Sequence, residues 1–194
     1  MNEREKSIYE AGKALLAGRL AQNIREIEAE FQSSPEEYCK TFFDAIQELL
    51  GRVTGEQAQG AKGPLRYIFI SYLQLSLYTG RYQLRLDAYD DRQYADLTDT
   101  HVYWSPDFIF QYIDADIAYF REHAHRHVPR VREYEVMRFA LRYAMHYYQI
   151  ARQFAEDLIG SALAKNIPDA ETLTVRFGGY MDQTEVLFET GATQ

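Results

Sequence analysis

The stretch from Arg130 to Ala164 constrains the fold most. Pro129 precedes it, Pro168 follows it, and Gly160 is its only helix-weakening residue. Tyr134, Met137, Leu141, Ala144, Tyr148, Ala151, Ala155, Leu158 and Ala162 recur at alternating steps of three and four, which keeps them on one helix face. Val136, Ala140, Tyr143, Tyr147, Ile150 and Phe154 form a second stripe beside it. The apolar face is therefore wider than a coiled-coil seam. Glu135, Arg138, Arg142, His146, Gln149, Gln153 and Glu156 are expected to meet water. At ~1.5 Å per residue such a helix is roughly 50 Å long, so other helices, and in one reading a second subunit, are needed to cover it. A kink at Gly160 is the alternative to a straight rod.

The 194 residues suffice for one large domain, and 46% hydrophobic content is that of a folded chain. No apolar run reaches the ~18 residues of a membrane span. The opening MNEREKSIYE lacks the apolar core of a signal peptide, so a cytoplasmic location is expected. One cysteine, Cys39, fits a reducing compartment, and it is expected to be a buried inert thiol. A net charge of −8 argues against nucleic acid and anionic lipid as partners. The composition is unusual in its 16 Tyr and 11 Phe against one Trp. Tyrosine has an apolar body and a polar tip, which suits wet cores, pockets and interfaces.

Along the chain, helices are expected at about 4–32, 35–50, 64–79, 106–124 and 130–164. Ser7 with Glu10 has capping-box spacing, and Ser34-Pro35 and Ser105-Pro106-Asp107 are start signals. Residues 51–63 contain four glycines and read as a loop. In 64–79 helix and strand compete. A face of Leu65, Ile68, Phe69, Tyr72, Leu73 and Leu77 with Gly80 as the stop favours the helix. Alternation predicts strands at about 81–89 and 172–177; a partner for the first is expected at 100–104, with 93–97 as the alternative, and one for the second at 186–188. The fold class is α+β and mainly α: four or five helices bundled around the long C-terminal one, with a small antiparallel sheet.

Three groups of residues carry chemistry. His123, His125 and His127 could hold a metal such as zinc, since His123 and His127 lie four apart if that segment is helical. A third ligand would come from Asp114, Asp116, His101 or His146. Their setting among Arg121, Arg126, Arg130 and Arg132 opposes a cation and suits an anion instead. Asp87 and Asp91, in an acidic stretch with Asp90, Asp96 and Asp99, could bind a divalent metal and through it a phosphorylated substrate. Turn aspartates are the simpler explanation. Tyr72, Trp104, Tyr112, Tyr143 and Tyr147, with Arg126 and Arg130, could line an aromatic ligand cleft. No phosphate loop, nucleophile elbow or dinucleotide fingerprint is present. The leading expectation is a cytoplasmic, non-enzymatic binding or accessory protein for a small molecule or a protein, with a homodimer in view. The rival is a metal-dependent enzyme acting on a phosphorylated or anionic small molecule.

Overall fold

The computed structural model describes residues 2–164 and 172–190. Helix α1 (Glu3–Ser33) starts on a capping box made by Asn2 and Glu5, not by Ser7 and Glu10. The Asn2 side chain accepts from the Glu5 N–H at 2.8 Å, and Glu5 accepts from the Asn2 N–H at 3.1 Å. Helix α2 (Pro35–Ala58) follows with Pro35 in its first turn, although the Ser34 side chain makes no cap. It runs through Gly51 and Gly55, so most of the expected loop is helical. Tertiary contacts override the weak propensity of this segment: Val53 is buried, and Arg52 donates to the His101 carbonyl at 2.7 Å. Gly60, at φ 69°, takes the left-handed conformation just beyond the helix.

The helix expected over 64–79 is instead strand β1 (Tyr67–Tyr72) followed by a single helical turn, α3 (Ser76–Thr79). Strands β2 (Leu84–Tyr89), β3 (His101–Trp104), β4 (Thr174–Gly179) and β5 (Thr184–Glu189) complete a five-stranded sheet in the order β3-β2-β1-β4-β5. β1 is the middle strand, and Ile68, Phe69, Ile70 and Ser71 are all buried. A strand buried on both faces has no alternation to betray it. The sheet is also mixed, not antiparallel throughout. β1 runs parallel to β4, Ile70 opposite Phe177, while β1–β2, β2–β3 and β4–β5 are antiparallel. β4 runs on past the expected end at 177, through Gly178 and Gly179. A Cβ on Gly178 would stand 2.3 Å from the Gln183 carbonyl oxygen, so only glycine lets β5 return so closely.

The segment 106–124 divides into α4 (Asp107–Phe110), α5 (Ile113–His123) and a 3-10 turn at Ala124–Arg126. Helix α6 (Glu133–Ala164) is the long rod, and it passes through Gly160. Both apolar stripes contribute to its buried face, through Ala144, Tyr148 and Ala151 and through Val136, Tyr143 and Tyr147. Glu135, expected in water, is buried because Arg4 of α1 binds it at 2.5 Å. Trp104 anchors the sheet to α2 and α6. Its ring meets Phe42 of α2 edge-on at 4.8 Å and stacks on Phe154 of α6 at 5.7 Å, and its indole N–H donates to Thr41. Among the described residues no helix is long and apolar enough to cross a membrane.

Candidate functional site

The parallel pair β1–β4 ends against the middle of α6, and a cleft of about 370 Å³ opens there. That volume lies within the range of small-molecule sites, and the carboxyl end of parallel strands is where open sheets leave room for ligands. Tyr72 closes β1 on one wall; Gln149 and Arg152 of α6 form another; Asp182 and Glu185, from the β4–β5 turn and β5, stand at the third. Tyr72 stacks on Tyr148 with ring centroids 4.8 Å apart and planes 20° from parallel. Burial, and then the negative charge of Asp182, push the Tyr72 phenol above its usual range. Burial pushes the Tyr148 phenol up to about 12. Both hydroxyls therefore stay protonated at neutral pH.

Arg152 is the unusual group. Its Nη1 pairs with Glu156 at 2.9 Å, but its Nε is buried without a hydrogen bond, 3.7 Å from the Glu185 carboxylate. Leaving a buried donor unmatched costs about 1–3 kcal/mol. An acceptor entering the cleft would recover that cost. The cleft thus offers an aromatic ring, a guanidinium Nε–H without a hydrogen bond, and two carboxylates, of which Glu185 lies 3.7 Å from that Nε.

Tyr143 and Tyr147 converge elsewhere, on Asp116. This wholly buried carboxylate of α5 accepts from Tyr143 at 2.5 Å, Tyr147 at 2.8 Å, Asn23 at 2.8 Å and the Arg19 Nε at 2.6 Å. Burial, and for Tyr143 the bond to Asp116, raise both phenols far above their usual range. Their hydroxyls are spent bracing α1, α5 and α6 together. Trp104 belongs to the core, and Tyr112 lies half-buried beside Glu26 and Glu30, with its phenol raised by burial and then by those charges. Arg126 and Arg130 are exposed at the far end of α5 and α6. Of the seven residues expected to line one aromatic cleft, Tyr72 alone lines this one.

The histidines do not form a ligand set. The 3-10 turn at Ala124–Arg126 removes the shared α-helical face expected of His123 and His127. The Nδ1 atoms of His123 and His125 lie 2.9 and 2.8 Å from the Tyr119 and Glu122 carbonyls, and His123 stacks on Tyr119 at 4.1 Å. Among the other proposed ligands, Asp114 accepts from the Tyr82 hydroxyl, and His146 lies on the α1 side of α6. Among the described residues the one group able to meet a metal ion is Asp87, Asp99 and His101, whose ligand atoms lie within 4.8 Å of one another. Asp91 is exposed in the turn and takes no part. Arg85 fills this group, its Nε 2.7 Å from Asp87 and its Nη2 2.6 Å from Asp99. Burial raises the Asp87 carboxyl against the pull of Arg85. A cation would have to displace a guanidinium. The remaining acidic stretch is neutralised nearby, Asp96 by wholly buried Lys62 and Asp90 by Arg92, each at 2.5 Å. Arg121 pairs instead with Glu133. Cys39 is half-buried, and burial pushes its thiol up, away from reactivity.

Sequence reasoning missed Arg152. The available signal was its place four residues after Tyr148, a cation set within the apolar stripe of a long helix. Compared with family models, curated proteins and solved structures, the chain matches none.

Proposed function

We propose that the protein is a non-enzymatic binding or accessory protein whose ligand lies in the cleft beside α6. The observation that carries this reading is the Arg152 Nε, which makes no hydrogen bond in a cleft that Tyr72, stacked on Tyr148, also lines. Asp182 and Glu185 in the same lining select against a simple anion. The chemistry that answers all three features is an aromatic zwitterion: a carboxylate on Arg152, a ring on Tyr72, an ammonium toward the acids. A cytoplasmic location belongs to the same proposal, supported by the single cysteine. The charge of −8 argues against nucleic acid as the partner.

Calorimetry with phenylalanine, phenethylamine and phenylpropanoate tests it. Phenylalanine is expected to bind tightest, and binding is expected to vanish in Arg152→Met and Tyr72→Ala proteins of unchanged helicity. Silence from all three compounds, or variants that bind as the parent does, defeats the reading.

The rival, a metal-dependent enzyme acting on a phosphorylated or anionic small molecule, draws on the approach of Asp87, Asp99 and His101. It requires stoichiometric zinc or manganese that Asp99→Asn and His101→Ala release. Because Arg85 already neutralises this group, purified protein is expected to be metal-free and equally stable in chelator.

A further inference from the structure

A second concavity, of about 250 Å³, runs along the outside of the molecule between α1 and α6. Its walls are almost wholly carbon. On α1 the groove presents Lys13, Ala17, Leu20, Ala21 and Ile24, with Leu20 and Ile24 only half-buried. The same helical face continues to exposed Glu28, so the strip spans about four turns, or roughly 22 Å. Phe139, Tyr143 and His146 of α6 form the opposite wall, and Tyr143 is tied to Asp116 by its hydroxyl.

We propose that a second copy of the chain covers this groove, the two α1 helices lying antiparallel about a two-fold axis beside Leu20 and Ala21. The charges on the strip select this occupant. Lys13, one turn after Tyr9 of the lining, and Glu28 stand about four turns apart, with the apolar Ala17, Leu20, Ala21 and Ile24 between them. A fatty acid answers Lys13 but not Glu28, and a helix of one sign likewise answers only one. An antiparallel copy answers both, because Lys13 faces the partner's Glu28 and Glu28 faces the partner's Lys13. The same alignment sets Ile24 opposite the partner's Ala17 and Leu20 opposite the partner's Ala21. Large side chains then meet small ones along the seam, as close packing requires. Two-fold pairing is the commonest symmetry of soluble oligomers and needs only this kind of self-complementary surface. The inference is independent of the Arg152 cleft, which lies on the sheet side of α6.

Sedimentation equilibrium of the full chain across the micromolar range tests it, with far-UV circular dichroism confirming that each variant is folded. The parent is expected to be a dimer and Leu20→Glu a monomer. Lys13→Glu and Glu28→Lys are each expected to weaken the dimer about ten-fold, since two symmetry-related pairs change at once, and the double reversal to restore most of the loss. A parent that is monomeric at every concentration, or a dimer indifferent to Leu20→Glu, overturns the proposal. So does a monomer that takes up dodecanoate in the groove, which would make it a lipid site.

Discussion

Asp116 shows at the scale of one residue how this chain keeps a charge inside its core. A carboxylate stripped of water is costly, and here both oxygens are answered by four donors from three other side-chain types. Tyr143→Phe removes one donor and is expected to cost about 1–2 kcal/mol. Asp116→Ala orphans the whole set and is expected to cost about 3–5 kcal/mol. Urea unfolding of the two variants checks this, and equal small losses would contradict it. Asp90 gives a second test. Hydrogen bonding from Arg92, first among several donors, holds its carboxyl at about 2 against an ordinary 3.8. The folded state thus binds that proton less readily than the unfolded chain. The stabilisation is complete above about pH 4 and is lost as pH falls toward about 2. Arg92→Met is expected to flatten the stability curve in that window, whereas parallel curves for the two proteins would refute the pairing. These networks were only half legible. Tyr143 and Tyr147 are expected from their helix stripe to line a ligand cleft, but sequence spacing does not reveal that they converge on Asp116, which lies on another helix.

Elements were legible where one face meets water and illegible where none does. α6 announced itself because its apolar stripes alternate with a polar face. β2 and β4 did so through alternation. β1 did not, because its centre is buried on both sides, and a run such as Tyr67-Ile68-Phe69-Ile70 has the same composition as a buried helix. The second half of α2 was hidden by Gly51 and Gly55, whose low helix propensity is offset by packing on the sheet. Glycines within α1 make the converse point. A Cβ on Gly12 would stand 2.2 Å from the buried Phe139 ring, whereas one on Gly18 meets nothing within 4 Å. Gly12→Ala is expected to lower stability by about 1–3 kcal/mol through overpacking. Gly18→Ala is expected to raise it by about 0.5–1 kcal/mol through helix propensity. Thermal melts of the pair decide the matter, and stabilisation by both would mean that α1 and α6 are not in close contact.

For the molecule as a whole, the decisive feature is the parallel pairing of β1 with β4. The two strands lie a hundred residues apart, and the helices α4 to α6 fall between them in sequence. No local pattern encodes that pairing, so the mixed sheet and the cleft at its carboxyl end were both invisible in the sequence. The cleft follows directly from it: two strands end together, a glycine hairpin turns away, and Arg152 of the long helix is left with a buried Nε–H that makes no hydrogen bond, 3.7 Å from the Glu185 carboxylate. The most direct test is the arginine Nε–Hε resonance of Arg152, followed by nuclear magnetic resonance as phenylalanine is added. A saturable shift of that one signal, with slowed hydrogen exchange, is the predicted result. An Arg152 signal that stays fixed while phenylalanine binds elsewhere, or does not bind, would contradict the account.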